Sequence, residues 1–197
     1  MLSSSYQGDR LLQDRTIHRE YQLIEQALSG NAQAFADLYL RYLDPIYRYI
    51  FFRVGEASDA EDLTEQTFLK AWEALPGYRN YGNPFSSWLY RIAHNTVVDY
   101  HRRRKAAVPM SEVRPPEAND QAVGLLKQVI ESEEVAALAE AVAKLPPDQQ
   151  QVIILRFIEG LEHAEVARIL EKSVGACRML QYRALTTLYQ LMISTQG

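Results

Sequence analysis

Apolar residues recur three and four positions apart from Tyr21 to Tyr100, as in Phe35, Leu38, Tyr39, Tyr42 and Leu43, and no segment sustains strict alternation. A 3.6-residue period gathers such a set on one helix face. This half of the chain therefore predicts helices packed through apolar stripes. Ser58 followed by Glu61 predicts a capping box ahead of Leu63, Phe68, Leu69 and Trp72, and Pro76-Gly77 closes that helix. Asn83-Pro84 marks the next start, with asparagine as the cap and proline in the first turn, where its missing N–H has no partner to lose. That helix runs through Trp88, Leu89, Ile92 and Ala93 into the basic run His101 to Lys105.

From Ala106 to about Asp120 the period fails among Pro109, Pro115, Pro116 and scattered acids, which predicts a linker and a domain boundary. Beyond it, Val135 to Leu145 is amphipathic, Pro146-Pro147-Asp148 opens a helix over Gln149 to Ile158, and Gly160 ends it. Short helices then follow closely: Glu162 to Leu170, a tight turn at Glu171 to Val174, and Gly175 to about Met192, with Met179, Leu180, Leu185 and Leu188 at core-facing spacing. This is the grammar of a helix-turn-helix. The fold class expected is all-α, with two small helical domains joined by a flexible linker. Their bounds are an arm at 1–20, a first domain at 21–105, a linker at 106–130 and a second domain at 131–197.

A length of 197 residues suits two small domains, and 47% hydrophobic with 23% charged residues is an ordinary globular balance. Charges interrupt every apolar stretch before the roughly 20 residues of a membrane helix, so the expected location is the cytoplasm, with no membrane span. The single cysteine, Cys177, excludes an intramolecular disulfide, and no Cys/His spacing suggests zinc. A net charge of −4 argues against a protein that simply coats nucleic acid. The signs are segregated, however: the basic run at 101–105 is followed by an acid-rich stretch from Glu112 to Glu140.

In a helix-turn-helix the second helix enters the major groove and reads base edges near its N-terminus. The candidates there are Ser173, Val174, Ala176, Cys177, Arg178, Gln181 and Tyr182, with Lys172 and Arg183 as phosphate anchors. Arg178 has the donor fork for guanine and Gln181 the amide for adenine. In the first domain, Tyr78, Asn80, Tyr81 and Asn83 form an aromatic and amide-rich loop suited to splayed bases. Arg91, His94, Asn95, Arg102 and Arg103 add a polar stripe able to follow a nucleic-acid backbone. Trp88, four residues before Ile92, reads as core. A metal nuclease using His94, Asp99 and His101 is disfavoured, because Asp99 lies off the helix face the two histidines share. No catalytic residue, metal or cofactor is expected.

The segment Asp59-Ala-Glu-Asp-Leu-Thr-Glu-Gln-Thr-Phe-Leu-Lys-Ala-Trp72 resembles the region 2 docking helix of the extracytoplasmic-function (ECF) sigma factors. Phe85 to Asn95, running on to Arg104, is similar to that family's −10 recognition stretch, and Leu145 to Phe157 with the following helix pair is similar to its region 4. The resemblance covers about Glu25 to Leu191 and implies a subunit that carries RNA polymerase to promoters. It implies core-polymerase contacts at Asp59, Asp62, Glu65, Gln66 and Lys70. It also implies capture of the opened −10 non-template strand by the loop and duplex −35 contacts by the last helix. An anti-sigma factor is a further implied partner. The alternative is a free-standing helix-turn-helix regulator. Glu171 departs from the pattern, standing where such turns commonly have glycine, and Cys177 stands where a small or aliphatic residue is usual, with a thymine-methyl contact favoured over a redox role.

Overall fold

Asn31 begins the first long helix by accepting the backbone N–H groups of Gln33 and Ala34 on its side-chain oxygen, at 3.0 and 3.3 Å. Two of the amides a helix start leaves without partners are thereby satisfied. The computed structural model describes residues 18–79, 84–107 and 133–195. The arm at 1–17, the loop residues Asn80, Tyr81 and Asn83, and most of the expected linker lie outside the described residues.

A short helix α1 covers 18–28, followed by α2 at Ala32–Val54, α3 at Ala57–Ala74, a 3₁₀ turn at Leu75–Gly77 and α4 at Phe85–Ala107. Gly55 ends α2 with φ 78°, a left-handed conformation that glycine adopts without a Cβ penalty, and its N–H reaches the carbonyl of Phe51 at 2.8 Å. The stripe of α2 packs ring by ring on its neighbours: Phe35 on Trp72 at 4.8 Å, Tyr39 on Phe68 at 4.7 Å and Tyr42 on Phe85 at 5.7 Å between centroids. Leu38, Ile46, Tyr49, Ile50, Leu89 and Val97 fill the centre. Buried Thr64 and Thr67 satisfy their hydroxyls on the carbonyls of Ala60 and Leu63. The start of α3 corrects the expectation at Ser58: the helix begins at Ala57, with Glu56 at the cap position and no side-chain cap bond.

The second unit contains α5 at Glu133–Ala143 and α6 at Pro147–Ile153, which widens into a π turn at Ile154–Ile158. Helix α7 at His163–Ile169 and α8 at Val174–Thr195 complete it. A reciprocal capping box of Glu162 and Glu165 starts α7. At the following turn Glu171 has φ 53°, the left-handed strain expected of a non-glycine residue at that position. The core face of α8 differs from the expected register. Cys177 and Ala184 are fully buried, Leu180 and Leu188 partly so, whereas Met179 and Leu185 are exposed. Small side chains occupy the buried stripe because α7 and α6 pack closely against it. Among the described residues there is no strand, and no helix is long and apolar enough to cross a membrane.

The two units pack against each other. Glu159, just after the π turn, accepts two hydrogen bonds from Arg48 of α2, at 3.1 and 3.0 Å, and one from the Tyr90 hydroxyl of α4 at 2.9 Å. Gln150 donates to the carbonyl of Phe52 at 3.1 Å. Helices α4 and α7 meet beside this contact.

Candidate nucleic-acid interface

Three surfaces carry the candidate residues. On α3, Asp62, Glu65 and Gln66 project into solvent. Leu69, four residues beyond Glu65, is 58% exposed in the middle of this acidic face, with Trp72 at its edge. Asp59 and Lys70 face α4 instead. Asp59 accepts from the Tyr100 hydroxyl at 2.5 Å and lies 3.8 Å from Arg104, and the Lys70 ammonium donates to Thr96 at 3.1 Å. These two fasten α3 to α4, while the other three are free to meet a partner. Phe68 is the residue that turns inward, and its neighbour Leu69, about 100° further round the helix, falls outside the buried stripe.

On α4, Arg91, Asn95, Val98 and Arg102 follow a four- and three-residue spacing and form an exposed stripe, with Arg103 beside it. Arg102 pairs with Asp99 at 3.0 Å within the helix, an exposed contact that adds little stability. His94 is half-buried beneath the second unit. Burial, with Arg53 adding repulsion, lowers its pKa below the ordinary 6.5. Arg91 reaches Glu171 of the helix-turn-helix at 3.5 Å. Tyr78 corrects the expectation of a loop stacking platform: it is 5% exposed, packed on Phe85 and Trp88 at 5.5 and 5.0 Å. The 3₁₀ turn folds this ring back onto the start of α4, where three aromatic side chains bury one another. Trp88 is half-buried at the edge of the cluster, in keeping with its expected core role.

On α8, Ser173 caps the helix by accepting the N–H of Ala176 at 3.1 Å. Ala176, Arg178, Tyr182 and Arg183 are exposed beyond it. Lys172 pairs with Asp148 at 3.0 Å. Gln181 turns toward α7, where its amide oxygen lies 2.8 Å from His163 Nε2, so it sits on the flank of the exposed face of α8. Cys177 is the clear correction. It is fully buried, and burial pushes its thiol pKa up, so it packs α8 on α7 and has no route to a thymine methyl. Val174 is exposed, as expected, and Met179, expected at the core, is 52% exposed on the same helix.

The sigma-70 region 2 family matches residues 38–107 and the sigma-70 region 4 family matches residues 136–188. Among curated relatives, the ECF RNA polymerase sigma factor BldN of Streptomyces coelicolor is 41% identical over 88% of this chain, which spans 66% of BldN. The ECF RNA polymerase sigma factor ShbA of Streptomyces griseus is 33% identical over 86% of this chain and 93% of its own length. The solved structure of CnrH in complex with the cytosolic domain of CnrY is similar at 28% identity, with a TM-score of 0.70 over 89% of this chain and 98% of that one. The paired regions, their order and the likeness to ShbA over most of both chains establish that this chain belongs to the extracytoplasmic-function sigma factors of the sigma-70 family.

Proposed function

We propose that this chain joins core RNA polymerase, recognises −10 and −35 promoter elements and promotes strand opening at initiation, working in the cytoplasm. The observation that carries this is the presence in one chain of an acidic, partly apolar docking face on α3, a cationic stripe on α4 and an exposed recognition helix α8. A free-standing regulator accounts for the helix-turn-helix but leaves the region 2 unit unexplained. Asp62, Glu65, Gln66 and Leu69 are the proposed polymerase contacts. Arg91, His94, Asn95, Arg102 and Arg103, with Asn80, Tyr81 and Asn83, are proposed to meet the −10 strand. Ser173, Ala176, Arg178, Tyr182 and Arg183, with Lys172, are proposed to meet the −35 duplex. Contacts to unstacked bases offset the few kcal/mol of unpairing per base, so opening draws on binding energy and involves no covalent step.

The contact between the units bears directly on this role. The −10 and −35 elements lie roughly 85 Å apart on straight B-DNA at about 3.4 Å per base pair. Units joined through Arg48, Tyr90 and Glu159 cannot occupy both elements together, and Arg91 and His94 are engaged under the helix-turn-helix. The compact form is therefore the proposed resting state, and its separation on polymerase the step that frees both DNA surfaces. An anti-sigma factor that prefers the compact form would hold it there by population shift.

The test is co-purification with bacterial core polymerase followed by in vitro transcription on a fragmented genomic library. Sequence-selective initiation that requires both components is expected. Promoter binding without polymerase, together with failure to join an active core, would count against the proposal.

A further inference from the structure

A groove of about 1040 Å³ is lined by the C-terminal end of α2, the later turns of α4, and residues of α5 and α6, so both units contribute to it. Much of its wall is apolar. Phe51, Phe52 and Val54 come from α2, Val98 of α4 is 42% exposed, and Ala139 and Ala143 come from α5. The charges are divided between the units. Region 2 contributes His101 and Arg102 of α4, together with buried Arg53, whose guanidinium donates to the Tyr49 hydroxyl at 3.3 Å and meets no carboxylate among the described residues. Region 4 contributes Glu140 and Asp148, the latter already paired with Lys172 at 3.0 Å. An apolar groove with one basic side fits a segment that is itself apolar along one stretch and acidic along another.

The chain leaves the described residues at Ala107, the end of α4, and returns at Glu133, the start of α5, so the 25 residues 108–132 connect two of the helices that line the groove. At a rise of about 1.5 Å per residue, the lining positions of α4 and α5 lie within about 15 Å of those two ends. A connection of this length spans up to about 80 Å when extended, far more than it needs. Its composition is complementary. From 108 to 120 it carries Glu112, Glu117 and Asp120 against one base, Arg114, and this acidic part follows directly on α4, which supplies His101 and Arg102. From 121 to 132, Val123, Leu126, Val129 and Ile130 recur three and four positions apart, a stripe that needs apolar cover.

We propose that residues 108–132 of this chain dock in the groove, with Val123, Leu126 and Ile130 against Val98, Ala139 and Ala143, and with the acids at 112, 117 and 120 toward His101 and Arg102. Tethering at both ends gives the segment an effective concentration on the order of millimolar, so contacts too weak to hold a free peptide suffice. Because region 2 and region 4 both line the groove, a segment bound there stabilises the compact form and opposes its separation. His94 and Arg102 line the same groove, so the docked segment and the −10 strand compete for them. The proposal rests on the compact resting state and is independent of which promoter is read.

The test is amide hydrogen exchange of the full chain at several concentrations, read by mass spectrometry beside small-angle scattering and sedimentation. Amides between 121 and 131 should exchange at least about tenfold more slowly than in a synthetic peptide of residues 108–132. That protection should be lost in Val98→Glu, which places a carboxylate in the apolar wall, and in the triple variant Val123→Ser, Leu126→Ser, Ile130→Ser, which leaves every lining residue in place. The triple variant should bind the labelled peptide added in trans at least about tenfold more tightly than the parent does, because its own segment no longer fills the groove. The proposal is overturned if a compact parent exchanges these amides as fast as the peptide, if the protection survives Val98→Glu, or if parent and triple variant bind the peptide alike. Protection that rises with protein concentration together with a dimer mass would assign the groove to a second copy and overturn it as well. A parent found expanded by scattering would remove the packing of the units and the groove with it, whereas a compact parent with an unprotected segment removes this proposal alone.

Discussion

Arg48 and Glu159 are joined by two parallel hydrogen bonds of 3.1 and 3.0 Å across 111 residues of sequence, and this pair ties region 2 to region 4. The Glu159 side chain is only 2% exposed, whereas Arg48 keeps a third of its surface in water. Burial pushes the Glu159 carboxyl above its ordinary range, and the Arg48 guanidinium pulls it partly back. The pair therefore gives the contact direction and geometry more than raw strength, as expected when desolvation opposes attraction.

Removing one partner is different from never having had the pair. In Glu159→Ala the Tyr90 hydroxyl and part of the Arg48 guanidinium lose their acceptor, which should weaken the contact between the units by about 1–3 kcal/mol. Small-angle scattering should show a larger radius of gyration for the variant, and with core polymerase it should initiate at a lower chain concentration. An unchanged radius would mean that the apolar contacts alone hold the units together.

The compact form should also loosen in mild acid through His94. Its surroundings are Arg53 of α2, Asp148 and Lys172 at the rim of region 4, and Glu171 in the turn, with burial the largest influence and Arg53 next. The net effect lowers the pKa in the packed state below the ordinary 6.5 that an exposed histidine regains on separation. The separated state thus binds more protons in that window. Stability of packing is fully present above 6.5 and is lost as pH falls through it toward the depressed value. Scattering profiles across this range should shift toward the separated form in the parent, and the shift should shrink in His94→Gln. Glu159 titrates with the opposite sign, so the difference between the two proteins, and not either curve alone, isolates His94.

Cys177 should behave as core. Its thiol should react with alkylating reagents far more slowly in the native chain than after denaturation, because it is fully buried and burial disfavours the reactive thiolate. Cys177→Ala should lower stability by roughly 1 kcal/mol through a small cavity while leaving −35 base preference unchanged. A changed preference at one base position would put this side chain back at the DNA.

The helical architecture was legible because apolar spacing, capping residues and Gly or Pro punctuation all pointed the same way. The left-handed strain at Glu171 was legible too, since a turn that favours glycine penalises any Cβ. The register of α8 was not. There the buried stripe is made of Cys177 and Ala184, small enough for close helix approach, while the larger Met179 and Leu185 lie outside, so a scale that ranks residues by hydrophobicity favours the wrong face. Tyr78 was misplaced for a related reason: a tyrosine among loop residues reads as exposed until its packing partners Phe85 and Trp88 are seen to fold back over it. The contact between the units has no local signature, because Arg48, Tyr90 and Glu159 each look like a solvated polar residue in their own segments.

Arg178 and Arg183 allow the division between reading bases and holding phosphate to be measured on one helix. Arg178 lies in the second turn of α8, one turn beyond the exposed side chain of Val174, while Arg183 projects from a later turn and a different side. If α8 enters the major groove by its N-terminal end, only the earlier residue reaches base edges. Arg178→Ala should then cost about 1–3 kcal/mol on the best −35 sequence and flatten preference at one base pair, because a bidentate contact discriminates among bases. Arg183→Ala should weaken all sequences alike and reduce the steepness of the salt dependence by about one unit in log–log slope, as expected for the loss of one phosphate contact. Binding of a randomised −35 library by the polymerase-bound chain at several salt concentrations separates the two effects. If Arg183→Ala instead altered preference at a single position while Arg178→Ala acted uniformly, α8 would have to lie in the groove with a later turn foremost, and the proposed order of contacts along it would be reversed.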